Sequence, residues 1–248
     1  MAKKALHMLV LAGMVMFVLW LVSPQDAFAQ AAEGEHGGKS WFELFKTTGA
    51  VGILLLLCSI IGTALLLQYI ITINEQNLMN PQLVGDLENL LGEKNLDDAY
   101  AMVEADNSYA GKVFAAALSR SGGGFEEARK GMEEAAAIET FHLNAKLSYL
   151  SLIGNIGPLL GLLGTVTGMI SSFQIIETMK APTPGDLAKG VYESLVNTTI
   201  GLFIAIVFLS AYFFMKNKVS DLTLRINNQI GEVLSRGLGD EGAAQESK

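Results

Sequence analysis

The sequence predicts an all-α integral membrane protein: three transmembrane helices with long cytoplasmic helical extensions and a cleaved signal peptide. Three observations carry this. Half of the 248 residues are hydrophobic and only 17% are charged, where a soluble domain usually carries about 25%. The segments 47–74, 147–176 and 194–215 hold no charged residue over 28, 30 and 22 positions, and each exceeds the roughly 20 residues that a spanning helix needs. No segment shows the period-two alternation over about ten residues of a barrel strand. The spans are therefore helices, which satisfy their own backbone in lipid.

The N-terminus comes first. Lys3 and Lys4 precede an apolar run, Leu6 to Val22, which Ser23-Pro24 breaks and Ala27-Phe28-Ala29 follows. That is the order of a secretory signal peptide, expected at 1–29 with cleavage after Ala29. An uncleaved anchor is the alternative, because the apolar run is long. A periplasmic segment at 30–46 then leads to the first span at 47–73. Cleavage puts the new N-terminus outside, and three spans put the C-terminus inside. The lysines and arginines agree: six lie in 74–146 and five in 216–248, against four in 30–46 and 177–193.

Residues 74–146 are expected as a cytoplasmic helical domain. Leu83, Leu87, Leu90 and Leu91 share one face of a helix over Pro81–Leu91. Asp97–Ala105 and Tyr109–Ser119 read as two more, and Gly122-Gly123-Gly124 as a break. No Gly-Lys-Ser/Thr follows those glycines, so they form no phosphate loop. From Phe125 nothing stops a helix until the second span (147–176) ends, although Pro158 can kink it. A helix over 125–176 is about 78 Å long. A periplasmic loop at 177–186 leads to the third span, 187–215. Val219, Leu222, Ile226, Ile230 and Val233 continue that helix as an amphipathic stripe within 216–248, whose end past Gly237 reads as a disordered tail.

The same composition excludes several functions. One cysteine and three histidines give neither a disulfide framework nor a zinc ligand set. A net charge of −8 offers no basic surface for nucleic acid. The spans carry no Gly-x-Ser-Gly nucleophile with an intramembrane histidine and no paired aspartates, so an intramembrane protease is not supported. The expectation is a protein that is not an enzyme and needs no cofactor or metal.

Two constellations remain. In the second span Gly154, Gly157, Gly161, Gly164 and Gly168 alternate at spacings of three and four, placing all five on one stripe where helix backbones approach closely. Beside it run Pro158, Thr165 and Ser172. The third span opens on Glu193, one turn from Asn197, with Ser194, Thr198 and Gly201 on an adjacent face. A carboxylate there either sits in the outer headgroup region or lies within the membrane, where it faces water or a partner charge. Thr165 alone is open to a bland reading, a hydroxyl bonded to its own helix. The span interiors carry no aspartate, lysine, arginine or histidine, so this chain has half of a proton relay.

Two motifs carry a family resemblance. Gly157-Pro158-Leu159-Leu160-Gly161-Leu162-Leu163-Gly164-Thr165-Val166-Thr167-Gly168-Met169-Ile170 closely resembles the second-span signature of the ExbB/TolQ/MotA proton-channel family. Glu193-Ser194-Leu195-Val196-Asn197-Thr198-Thr199-Ile200-Gly201-Leu202 resembles its third-span signature. The resemblance implies a homo-oligomer, a pentamer in relatives, around single-span ExbD/TolR-like helices, with a TonB- or TolA-like protein beyond. It implies that Thr165, Glu193 and Thr198 line an ion path, with the titrating aspartate on the single-span partner. Thr167 stands where relatives often have Trp, and Ala205-Ile206-Val207 where they often have Ala-Ile-Pro; the extra hydroxyls leave sodium coupling open. The expected function is the proton-channel subunit of an ExbB–ExbD type motor in the bacterial inner membrane. A TolQ-type subunit and a non-conducting membrane scaffold are the alternatives.

Overall fold

A computed structural model describes residues 49–178 and 183–238, without the side chains at 186, 187, 189 and 193. The signal peptide expected at 1–29, the 30–46 segment and the tail past 238 lie outside the described residues. Every regular element described is helical: α1 (Gly49–Thr72), α2 (Glu75–Leu78), α3 (Pro81–Gly92), α4 (Leu96–Ala105), α5 (Tyr109–Leu118), a 3₁₀ turn (Ser121–Gly123), α6 (Phe125–Thr178) and α7 (Pro184–Leu238). Three of them, α1, α6 and α7, are long and apolar enough to cross a membrane.

The short helices start where their caps dictate. Asn74, Asn80, Asn95 and Ser108 each accept a backbone N–H of the following turn, which satisfies donors that the helix leaves open. Pro81 opens α3, where its missing N–H costs nothing. Gly124 holds φ +86° and ψ −179°, a region open essentially to glycine alone, so the three-glycine break ends on the residue that requires it. The sequence expectation missed the single turn of α2, which is too short to carry a period.

The described chain divides into two compact units. The first holds residues 49–66 and 150–211, the second 67–149 and 212–238. In the second, Leu83, Leu87 and Leu91 of α3 are buried together with Val103, Val113 and Phe114. The predicted α7 stripe is buried as well: Val219, Leu222, Ile226, Ile230 and Val233 are each at most 4% exposed. Tyr109 bridges three elements, with its hydroxyl 3.0 Å from Asn227 Oδ1 and 3.2 Å from Thr140 Oγ1. Outside this core the charges pair along helices, as in Arg129 with Glu126 and Glu133. In the first unit Leu55, Leu66, Ile204 and Phe208 are buried, and Gly62 gives room to the Phe208 ring.

Helix α6 runs through Thr178 and α7 starts at Pro184, so both helices reach into the segment 177–186 that the sequence reading gave to a loop. Proline fits the first helical position because its φ is already helical and its N–H is not needed there. Pro158 does not end α6, which continues through it.

Candidate functional site

The two sequence motifs meet along one seam. All five glycines of the second-span stripe face α7 of the same chain. A Cβ at Gly154 would lie 2.8 Å from Leu209, one at Gly157 2.9 Å from the Gly201 carbonyl oxygen, and one at Gly161 2.9 Å from Thr198 Cα. At Gly164 it would meet Asn197 Cβ at 2.6 Å, and at Gly168 the Ser194 hydroxyl. The reverse holds too: Gly201 faces the Gly157 carbonyl and Gly190 faces the Ser172 hydroxyl. Helix meets helix here with backbone against backbone, the contact that small residues allow. Gly201 and Gly190 are the α7 side of it, and their spacing of eleven from one another was the sequence signal.

Hydroxyls close the seam. Thr198 donates across it to the Gly161 carbonyl at 3.0 Å, with its own Ser194 carbonyl at 3.4 Å as second acceptor. Ser194 is 3% exposed; its hydroxyl donates to Gly190 O at 2.7 Å and approaches Thr165 O at 3.3 Å. Asn197 is 4% exposed. Thr165, half-buried, donates to Leu162 O of its own helix at 2.7 Å, the bland alternative for an isolated threonine. Its oxygen lone pairs remain available as acceptors. Glu193 sits in α7 one turn before Asn197, and its side chain lies outside the described residues.

Thr198, Asn197 and Ser194 therefore line this seam, the backbone carbonyl of Thr165 faces Ser194 across it, and the backbone of Glu193 adjoins it. Some polar residues of the span escaped the motif reading, Asn155 among them. It is an exposed carboxamide in a charge-free segment, and an amide at that depth was the signal that could have singled it out.

Lipid-length helices joined by a glycine seam with hydroxyls donating into it define a polytopic membrane protein whose polar groups run along a helix pair. The model of the MotA/TolQ/ExbB proton channel family matches residues 105–228, and the chain belongs to that family. It is 30% identical over 193 residues to a biopolymer transport protein ExbB-like 3 of Synechocystis, covering 75% of this chain and 89% of that one. It is 38% identical over 87 residues to the Tol-Pal system protein TolQ of Pseudomonas aeruginosa, 35% of this chain and 38% of that protein. The solved structure of C. jejuni MotAB matches at TM-score 0.59 with 16% identity, covering 92% of this chain and 89% of that chain, and so shares the fold. The chain spans less than two thirds of the length of several curated relatives.

Proposed function

We propose that the chain is the proton-channel subunit of an inner-membrane motor of the ExbB–ExbD kind, which converts the proton gradient into mechanical work at the outer membrane. The observation that carries this is the seam itself. Thr198 donates across it to Gly161 O, and Thr165 stands one turn further along α6 with lone pairs free. The Glu193 backbone lies five residues before Thr198 on α7. A lone acid beside a line of hydroxyls suits proton transfer, because a charge in hydrocarbon costs at least about 2.5 kcal/mol unless hydrated, partnered or protonated. The span interiors hold no aspartate, lysine, arginine or histidine, so the relay is completed by a partner, a single-span helix bearing a carboxylate. On this reading the subunits form a ring, a pentamer, around that partner, and a TonB-like protein receives the force. The segment 74–146 and the C-terminal part of α7 are cytoplasmic, as their lysines and arginines favour. The resemblance to an ExbB-like protein over most of both chains favours this branch.

A TolQ-type role in envelope maintenance is the second reading, favoured by the 38% identity with TolQ. Both share the channel and differ in the protein driven.

The test is Glu193→Gln in the complex co-purified with the neighbouring single-span protein and reconstituted in liposomes. The glutamine keeps the shape and removes the charge, so assembly stays intact. Proton flux falls by about a hundredfold, the low end of what a positioned proton-transfer group contributes. Thr165→Val reduces it by less. Full flux in an intact Glu193→Gln complex would place the acid among the headgroups and remove the proton-path assignment.

A further inference from the structure

A line of polar side chains runs along one flank of the α6 glycine stripe. At about 100° per residue, Ser151, Asn155, Pro158 and Thr165 fall within a sector of about 80°, while Ser172 lies on the stripe itself, against Gly190. Over the same depth the opposite flank carries Leu152, Ile156, Leu160 and Leu163, and its hydroxyl there, Thr167, is turned back onto Leu163 O at 3.0 Å and Gly164 O at 3.1 Å; Ser171 and Gln174 follow on that flank only towards the end of the helix. The motifs and the proposed function use only the half of the polar flank beyond Pro158. The half before it is unassigned.

Asn155 dominates that half. Its Nδ2 donates to Ser151 O at 2.8 Å and lies 3.3 Å from Ser151 Oγ. Nothing among the described residues donates to its Oδ1. Pro158, which has no N–H, withdraws the donor that the Gly154 carbonyl would meet in an unbroken helix. An acceptor left unmet in hydrocarbon is costly, so this flank faces water or protein in the membrane. From Ser151 to Thr165 the flank rises about 21 Å, about two thirds of the hydrocarbon layer. A subunit contact needs polar groups at matched points only, whereas a line over that depth suits a column of water.

We infer that Asn155 and Ser151 line the inner leg of the ion path, hydrogen-bonding the water that carries the proton between Thr165 and the cytoplasmic face. This rests on the channel reading above. Asn155 Oδ1 accepts from that water, Ser151 Oγ and the Gly154 carbonyl extend the line inward, and no covalent step is involved. Leu162 and Met169 share the sector and are 60% and 49% exposed; they keep the column from becoming an open pore, since apolar constrictions dewet.

The test is thiol accessibility in inverted membrane vesicles carrying the full-length chain with its single-span partner. Cys58, the one native cysteine, is first changed to serine. Single cysteines then replace Ser151, Asn155 or Thr165, with Ile156 and Leu163 as references, and a membrane-impermeant quaternary-ammonium methanethiosulfonate is the probe. Only a hydrated thiol ionises to react. Asn155→Cys and Ser151→Cys are expected to label at least about tenfold faster than the references, the equivalent of one unit of thiol pKa. Labelling at the reference rate, with Thr165→Cys reactive, overturns the inner leg and leaves the channel reading standing. Reference-rate labelling at all three positions overturns both. If Asn155→Cys does not accumulate, the rate at Ser151→Cys decides.

Discussion

Phe114 and Phe173 are the same residue with opposite fates. In the helical unit of 67–149 and 212–238, Phe114 is completely buried, whereas in the spanning unit Phe173 is 62% exposed. Leu87 and Leu163 repeat the contrast at 0% and 47%. In the first region leucine and phenylalanine form the core and the charges face outward. In the second, glycine and hydroxyls form the α6–α7 seam, Leu55, Leu66, Ile204 and Phe208 are buried beside it, and many other large apolar residues face outward. Burying a leucine gains free energy only against water; lipid tails are as apolar as leucine, so packing and hydrogen bonds between backbones take over at the seam. One chain therefore follows two different rules for what its surface shows.

The sharpest way to break this comparison is to remove the same side chain in both regions. Phe114→Ala is expected to cost about 3–5 kcal/mol through the cavity it leaves, seen as a lower thermal unfolding midpoint in detergent. Phe173→Ala in the same detergent is expected to cost under about 0.5 kcal/mol. A comparable loss at Phe173 would show that its face is already covered and would end the contrast.

Adding volume probes the same difference from the other side. Gly161→Leu drives a side chain against the α7 backbone, where even a Cβ has only 2.9 Å, and is expected to cost about 1–3 kcal/mol. Gly85 of α3 has open space around it, so Gly85→Ala is expected to stabilise by up to about 1 kcal/mol. Thermal melts of the two variants would sharpen the comparison if the shifts have opposite signs.

The smallest effect lies outside the spans. Burial of Lys218, half-exposed on α7, pushes its ammonium below the ordinary lysine range. Below the folded-state pKa the lysine is charged whether the chain is folded or not, and the folded state bears the full desolvation cost. That cost fades as pH rises through the depressed folded pKa and is gone above the unfolded value of about 10.4. Lys218→Met is thus expected to stabilise the chain by less than about 1 kcal/mol at neutral pH, given the solvent screening of a half-exposed group. Melts repeated at rising pH should show the advantage shrinking; an advantage constant with pH would remove the electrostatic explanation.

Much of this architecture was legible because periodicity and lipid length are local properties. The 3-4 spacing of Val219, Leu222, Ile226, Ile230 and Val233 marked a face that is buried, and the uninterrupted run from Phe125 marked one helix through Pro158. The partner of the glycine stripe was not legible. Five glycines on one face announce close contact without saying with what, and only the structure turns them toward α7 of the same chain. The rotamer of Thr165 was equally hidden, since a threonine in a helix chooses between its own carbonyl and a neighbour on fractions of an ångström. Asn155 was visible but unweighted, because motif matching begins at Gly157, two residues later. Pro184 opens α7 through a preference that hydropathy does not register.

Near the end of the α6–α7 seam where α6 stops and α7 starts, two glycines and two serines are exchanged: Gly168 receives the hydroxyl of Ser194, and Gly190 receives that of Ser172. Each helix carries one notch and one peg. A methyl group added at either glycine has no free space, yet the opposing serine could surrender its own volume to admit it. The two helices are therefore not free to drift independently in sequence. A change at 168 is tolerated when 194 shrinks, and a change at 190 when 172 does, so the four positions constrain one another as two inherited pairs.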